Sequence, residues 1–194
     1  MNRQRRSATF VVLLVLVMGI VGWILLRKYR ASREVIAAVN ASALTLTSSS
    51  FDDNGTIPAK YTCDGGDLSP QLSVSAPPPG TKSLLLIVDD PDAPVGSFVH
   101  WVMFNLPAST QEIPEGVSAQ PGELQRAVQG INDFDKIGYG GPCPPKGKPH
   151  HYYFRVYALD TTLPLPEGAT RRQVAQAAKG HVLAAGKLIG LYGR

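Results

Sequence analysis

Residues 83–89 read Ser-Leu-Leu-Leu-Ile-Val-Asp, a continuous apolar run that lies between the turn residues Gly80 and Pro91. A run of this length between turn signals is typical of a buried strand. Two further runs, over residues 98–106 and 151–159, are rich in aromatic and β-branched side chains, which favour strands. The three runs predict a β-sheet in which residues 83–89 form the central strand.

The distribution of proline and the C-terminal sequence refine this prediction. All 16 prolines lie between Pro58 and Pro166, which argues against long helices there and favours a turn-rich β architecture. Further on, Thr170 and Gln173 form a capping-box pattern that predicts the start of a helix. Residues 181–188 predict a second helical piece. The sequence therefore indicates a mainly β domain with short C-terminal helices.

The charge of the chain is unevenly distributed. The formal net charge is +4, but residues 1–33 hold seven of the 19 Lys and Arg residues and no acid. From Glu34 onward, 12 basic residues stand against 15 acidic ones, so this part carries about −3. A mildly acidic domain binds the phosphate backbone of nucleic acids poorly. We therefore expect no nucleic-acid partner.

The N-terminal segment has the composition of a membrane span. Residues 8–26 are 19 residues without a charge, which as a helix would extend roughly 28 Å, about the thickness of the hydrocarbon core. The pattern predicts a single transmembrane helix within an anchor over residues 1–30, with a cleaved signal peptide and a buried core helix as alternatives. We expect a single-pass membrane protein whose domain lies outside the cytoplasm.

The segment after the anchor, residues 31–50, is rich in small and polar residues near its end and is interpreted as a linker. Alternation over residues 44–47 predicts a short first strand within it. The domain itself is assigned to residues 51–194.

Three polar stretches are candidates for a functional site. Residues 89–94 read Asp-Asp-Pro-Asp-Ala-Pro and follow the central strand, where a solvated turn is the alternative interpretation. His100 lies inside the second strand, where it is either functional or a core histidine, and strand alternation places Trp101 on the opposite face. The Gly- and Pro-rich residues 138–149 lead to His150 and allow the backbone to approach a ligand closely.

Taken together, these stretches resemble the phosphatidylethanolamine-binding protein family, also called Raf-kinase-inhibitor-like proteins, in its bacterial branch. The resemblance extends from about Phe51 to the C-terminus. It is carried by Ile57-Pro58, Tyr61-Thr62-Cys63-Asp64-Gly65, Leu68-Ser69-Pro70, Asp90-Pro91-Asp92-Ala93-Pro94, His100-Trp101, Asn105-Leu106-Pro107, residues 138–145 (Gly-Tyr-Gly-Gly-Pro-Cys-Pro-Pro), residues 150–152 (His-His-Tyr), residues 156–160 (Val-Tyr-Ala-Leu-Asp) and residues 190–194 (Gly-Leu-Tyr-Gly-Arg).

The resemblance implies a β-sandwich-like fold with peripheral helices and a small pocket at one end. In such proteins the pocket binds a phosphate-type group, as in a phospholipid headgroup. The ligand-binding residues implied are Asp90 and Asp92 on the rim, Pro94 in a cis turn, His100 projecting inward, Pro145, His150 and Tyr152 on the other wall, and Tyr192 in the segment that partly covers the mouth. We hypothesise that Asp90 or Asp92 holds His100 or His150 as a hydrogen-bond donor.

The resemblance also bears on the two cysteines, because Cys63 and Cys143 both belong to loops that the family places at the pocket end. A disulfide between them is one interpretation and free thiols are the other, while a Cys/His metal site lacks the close ligand spacing of zinc motifs. Two residues depart from the family pattern. Val74 stands where Trp is frequent, and His151 stands where Arg is usual, which leaves the local ion pairing open.

We expect a non-catalytic binding or regulatory protein with no cofactor, whose partner is a phosphate-type or phospholipid-headgroup ligand. One alternative is an inhibitor or modulator of a partner kinase or protease. Another is a hydrolase that uses the Asp and His residues. No Gly-x-Ser-x-Gly elbow, P-loop or His-Glu-x-x-His motif occurs in the sequence to favour catalysis.

Overall fold

The computed structural model describes residues 42–94, 96–117, 124 and 126–194. Two β-sheets account for most of the regular structure in these residues. The strands are β1 (Ser42–Ala43), β2 (Leu46–Thr47), β3 (Gly55–Thr56), β4 (Leu72–Val74), β5 (Ser83–Asp90), β6 (Phe98–Pro107), β7 (Glu112–Ile113), β8 (Val128–Gln129), β9 (His150–Leu159) and β10 (Val182–Tyr192). A 3-10 turn spans Ala59–Tyr61, and the helix α1 spans Arg171–Ala178.

The larger sheet has seven strands in the order β1-β10-β9-β5-β6-β8, with β3 paired beside β1 on β10. Its four long strands, β10, β9, β5 and β6, pair antiparallel with their neighbours, whereas β1 and β3 run parallel to β10. The smaller sheet has the order β2-β4-β7 and is antiparallel. This two-sheet arrangement is the mainly β fold that the sequence predicts, in the sandwich form that the resemblance implies.

The core lies between the two sheets. From β5 it receives Leu84, Leu86 and Val88, and from the smaller sheet it receives Leu72 and Ile113. The alternate residues of β5 are buried as well, outside this cluster, so every residue of the strand is buried. The uninterrupted apolar run of residues 83–89 is explained by this burial on both faces.

The three predicted long strands are confirmed, each with an extension of one residue at one end. The capping box is confirmed too, because the Thr170 side chain accepts from the Gln173 backbone N–H while the Gln173 side chain accepts from that of Thr170. The helix that it starts contacts β6 and buries Val174 and Ala178.

The prediction of a second C-terminal helix is wrong. Residues 182–192 form β10, which pairs along its length with β9. At Gly186 the strand lies so close to the Leu44 carbonyl that a Cβ atom there would stand 2.3 Å from the oxygen. Gly190 is equally close to the Ile57 side chain, at 2.4 Å. The strand is fixed by its partners on both sides, and the local sequence does not show them.

Part of the predicted linker belongs to the domain. Leu44 and Leu46 are buried, and residues 42–47 contribute one strand to each sheet. The short first strand predicted over residues 44–47 corresponds to β2. Residues 31–41 lie outside the described residues.

The predicted membrane anchor requires a correction. In the part of the chain that the structure describes, no helix is both long enough and apolar enough to cross a membrane. Residues 8–26, where the sequence predicts the span, lie outside that part. The described fold therefore contains no transmembrane helix. The predictions that depend on such a helix, a single-pass membrane protein and an extracytoplasmic domain, are not supported.

Candidate functional site

The candidate site lies at one end of the larger sheet. Asp90 is the last residue of β5, His150 is the first residue of β9, and Tyr192 is the last residue of β10. His100 is the third residue of β6, which pairs with β5 through Phe98 and Asp90. Because these strands are antiparallel neighbours, their candidate site residues from distant parts of the sequence meet at the same sheet end.

A β-bulge aims His100 at the site. Val88 pairs with Trp101 and Asp89 pairs with Val99, so His100 is an extra residue in β6. A bulge of this kind interrupts the alternation of side chains. Trp101 belongs to the core between the sheets, and the His100 ring contacts Tyr152 of the same core. The prediction that Trp101 and His100 occupy opposite faces is therefore wrong.

His100 is held by the backbone of the Gly-rich loop. Its Nδ1 lies 2.7 Å from the Gly140 carbonyl oxygen, so Nδ1 carries the proton and donates to it. The ring also packs against the edge of Phe134 and against Tyr152, with ring centroids 5.3 and 5.1 Å away. Burial lowers the pKa of His100, opposed mainly by the nearby Gly140 carbonyl and by Asp90. The imidazole is therefore neutral at pH 7, and its Nε2 is an acceptor.

Asp90 holds the second histidine. Its Oδ2 lies 2.7 Å from Nδ1 of His150, and both side chains are largely buried. Its other oxygen accepts the backbone N–H of Asp92 at 2.8 Å, which closes the turn after β5. The hypothesis that an acid holds His150 agrees with this geometry. For His100, the Gly140 carbonyl takes the role that the hypothesis assigned to an acid.

Asp92 pairs with His151, the residue that departs from the family pattern. Its Oδ2 accepts both the backbone N–H of His151, at 2.9 Å, and Nδ1 of the ring, at 2.7 Å. The hydrogen bond from His151 lowers the pKa of Asp92, with burial opposing it. Both side chains are nearly half exposed. The imidazole of His151 thus supplies a partner for Asp92 on the rim without a fixed charge.

The hydroxyl of Tyr152 is buried and has no hydrogen-bond partner among the described residues. Burial raises the pKa of Tyr152, and the carboxylates of Asp90 and Asp92 and the hydroxyl of Tyr192 raise it further. The hydroxyl therefore keeps its proton at all ordinary pH values. A buried donor without an acceptor is costly, so it marks a position where a ligand or water oxygen would bind.

The Gly- and Pro-rich loop forms one side of the site and is firmly attached. Cys143 is joined to Cys63 by a disulfide with a Cα–Cα distance of 5.4 Å. The Tyr139 hydroxyl donates to the Tyr61 carbonyl at 2.7 Å. A Cβ atom at Gly141 would stand 2.5 Å from that same carbonyl oxygen, which explains why glycine is needed there.

The other predicted site residues lie at the periphery. Pro94 and Pro145 are exposed. No peptide bond among the described residues is cis, so the predicted cis turn at Pro94 requires correction. The Tyr192 hydroxyl donates to Asp64 at 2.7 Å, and Arg194 pairs with the same carboxylate at 3.1 Å, which ties the C-terminus to the disulfide loop.

Sequence reasoning missed three contributors to the site: the Gly140 carbonyl, the side chain of His151 and Asp64. His151 and Asp64 are adjacent in sequence to two residues that the sequence analysis identifies, Tyr152 and Cys63. Adjacency in sequence does not predict which residues they pair with. In the described part of the chain, no three His, Cys, Asp or Glu residues converge as metal ligands.

The fold and the site define a small β-sandwich protein with a cluster of polar side chains at the end of its central strands. The family model described as phosphatidylethanolamine-binding protein matches residues 47–193. The chain belongs to the phosphatidylethanolamine-binding protein family. This membership makes it a binding-type protein at the level of its class.

Relatives and solved structures agree with this assignment. A UPF0098 protein of Pyrococcus horikoshii is 54% identical over 151 residues, which cover 76% of this chain and 75% of that protein. A UPF0098 protein of Aquifex aeolicus is 46% identical over 159 residues, covering 81% and 92%.

Two crystal structures are similar throughout the domain. The phosphatidylethanolamine-binding protein homologue CT736 of Chlamydia trachomatis has a TM-score of 0.72 and 42% identity, covering 79% of this chain and 99% of that one. YbcL of Escherichia coli, described as a member of the mammalian family, has a TM-score of 0.74 and 34% identity with the same coverage.

Proposed function

We propose that the domain binds a small phosphate-type anion, free or as a phospholipid headgroup, at the site formed by Asp90, His100, His150 and Tyr152. The observation that carries this proposal is the buried Tyr152 hydroxyl, which has no partner among the described residues. It is a donor fixed by the surrounding core, and its ring contacts the His100 imidazole. An oxygen of the anion would accept the hydroxyl proton and remove the cost of leaving it unpaired.

The proposed role is binding without catalysis. The Asp90–His150 pair has the form of an oriented base, but catalysis by nucleophilic attack also requires an activated nucleophile. Tyr152 is the hydroxyl that lies with these groups, and burial keeps its pKa too high for it to ionise. We therefore expect no turnover of phosphomonoesters or phosphodiesters in an assay with purified protein. Sustained hydrolysis that is lost in a His150→Ala variant would contradict this proposal.

The test of binding is a titration with phosphoethanolamine, followed by NMR chemical shifts and calorimetry. Tyr152→Phe removes the hydroxyl alone. A hydrogen bond to a charged group contributes about 1.5–3 kcal/mol, so affinity should fall by about tenfold or more. Without ligand, the variant should be as stable as the parent protein or slightly more stable, because the lost hydroxyl has no partner to satisfy it.

The matched control is Tyr153→Phe. Tyr153 is the next residue of β9 and therefore points to the opposite face of the sheet, where its ring packs against Arg155. Its removal should leave the affinity unchanged. Equal affinities of the parent protein and the Tyr152→Phe variant would reject the proposed site, as would unchanged shifts and affinity in His100→Ala.

A further inference from the structure

Around the candidate pocket, hydrogen-bond acceptors and acidic side chains outnumber hydrogen-bond donors and cationic side chains. The β5 end and the turn after it contribute Asp90 and Asp92, and β6 contributes His100. On β9 lie His150, His151 and Tyr152. Around them are Asp64 and Asp133 from neighbouring loops, Tyr192 and Arg194 from the C-terminus, and Lys146 and Lys148 from the loop before His150.

The cations among these groups do not give the pocket a positive charge. Arg194 is paired with Asp64. Lys146 and Lys148 are exposed, and neither makes an ion pair within the described parts of the chain. With two acids, Asp90 and Asp92, opposed by two imidazoles, His150 and His151, the net charge of these four groups is at most zero even when both imidazoles are protonated.

The hydrogen bond of His100 to the Gly140 carbonyl determines whether its other ring nitrogen can donate a proton to a ligand or accept one from it. Its Nδ1–H is already donated to the Gly140 carbonyl, so the other ring nitrogen, Nε2, offers a lone pair. The Tyr152 ring packs edge-on against this imidazole, and its buried hydroxyl offers a proton. One acceptor and one donor thus belong to two rings that pack against each other. They match a group that carries one P–OH and one P–O⁻, which is the singly protonated form of a phosphate monoester.

We infer that the pocket binds phosphate monoesters as the protonated monoanion and excludes dianions that cannot be protonated, such as sulfate. The P–OH donates to Nε2 of His100, and the Tyr152 hydroxyl donates to an unprotonated oxygen. This inference rests on the proposed function and adds the charge state of its ligand. Burial, which keeps His100 neutral, supports it because a protonated His100 would be a donor instead.

The test uses three probes at pH 6 and pH 8: methyl phosphate, dimethyl phosphate and sulfate. The second pKa of a phosphate monoester is about 6, so the protonated fraction falls roughly 50-fold between these pH values. The affinity for methyl phosphate should fall by a similar factor. Dimethyl phosphate carries one charge at both pH values and has no P–OH, so it should bind more weakly at pH 6 and change much less. Sulfate should not bind at either pH.

Calorimetry in two buffers of different ionisation enthalpy counts the protons directly. Methyl phosphate at pH 8 should bind with the uptake of about one proton, and dimethyl phosphate with almost none, since only the dianion must be protonated first. The double variant Lys146→Gln, Lys148→Gln is the control for the exposed lysines and should bind methyl phosphate within about threefold of the parent protein.

Three outcomes would overturn the inference while leaving anion binding intact: sulfate binding as tightly as methyl phosphate, affinity for methyl phosphate that is constant or rises with pH, or loss of binding in the lysine variant. Circular dichroism at both pH values confirms that the domain is folded. If none of the probes nor phosphoethanolamine binds to the folded protein at pH 6, the proposed function itself fails.

Discussion

Asp89 and Asp90 are adjacent, of the same residue type and both buried, yet they have different surroundings. Asp89 points to the face that carries α1, where it pairs with Arg155 and with Arg171 at 3.4 Å and accepts from the Ser97 hydroxyl at 2.5 Å. Asp90 lies among the candidate site residues, where the His150 imidazole is its partner. One carboxylate is neutralised by fixed charges, and the other remains coupled to a titratable group.

The difference shows that a single strand end supplies a structural ion-pair cluster on one face and a residue of the proposed binding site on the other. Guanidinium groups stay charged at any pH at which the protein folds, so the Asp89 cluster joins β5, β9 and α1 permanently. The Asp90–His150 pair contains no guanidinium and lies among the candidate site residues. The four predictions below test this division, beginning with the largest effect.

The largest effect is expected for Asp89→Asn. It leaves Arg155 and Arg171 without their carboxylate, and removing one partner of a buried ion pair costs about 3 kcal/mol or more. Urea denaturation should show this loss of unfolding free energy. The control is Asp160→Asn, which removes an exposed acid paired with His181 at 2.7 Å and should cost less than about 1 kcal/mol. If Asp89→Asn lowered the unfolding free energy less than Asp90→Asn does, Asp89 would not be the more important of the two residues for stability.

Asp90→Asn should have an intermediate effect on stability and a clear effect on binding. The amide oxygen can still accept the Asp92 backbone N–H, but the charged hydrogen bond with His150 is lost, which costs about 1–2 kcal/mol. With His150 no longer oriented, affinity for phosphoethanolamine should fall about tenfold by calorimetry. If binding is unchanged, Asp90 is structural like Asp89.

The pocket face should also make the fold sensitive to mild acid. Burial lowers the pKa of His100, so the unfolded chain takes up its proton first, and stability is lost as pH falls below about 6.5. His100→Gln removes this titration. The decrease in unfolding free energy between pH 7.5 and 5.5 should be smaller in the variant than in the parent protein, measured by denaturation at each pH. An identical pH profile would show that His100 does not titrate in this way.

The smallest effect is expected on the rim, for His151→Ala. This pair with Asp92 is nearly half exposed, so its loss should change stability by less than about 0.5 kcal/mol and less still in high salt. Because the pKa of Asp92 is lowered, the contribution exists above its ordinary pKa and disappears as pH falls through the lowered value. His181→Ala, in another exposed histidine–aspartate pair, should have a similarly small effect on stability. A loss above 2 kcal/mol would place His151 with the structural groups.

Some features of the fold follow from local sequence and others do not. The run over residues 83–89 and the Thr170 capping box are local signals, and both predict the observed elements. The strand β10 cannot be predicted from its local sequence, because Ala184, Ala185 and Gly186 have little intrinsic preference for strands. Pairing with β9 and close contact with residues 42–57 make it a strand, and those contacts are distant in sequence.

The same limit applies to the site. Residue types and order identify Asp90, His100, His150 and Tyr152, but the hydrogen bonds among them depend on register. Alternation fails at His100 because one extra residue enters β6, and β6 contains no glycine that would indicate a bulge. For that reason the partner of His100, a carbonyl oxygen in a loop 40 residues away, emerges only from the structure.

The two short parallel strands on β10 have a consequence for handling the protein. β10 is 11 residues long, and without β1 and β3 its outer side would present unpaired backbone groups. Such an edge is a template for intermolecular pairing and aggregation. The backbone next to these two strands also contributes hydrogen bonds to this edge: the Leu44 N–H donates to the Ala185 carbonyl, and the Ile57 N–H donates to the Leu191 carbonyl. A fragment beginning at residue 51 would uncover half of the edge, so soluble preparations of the domain should begin at or before Ser42.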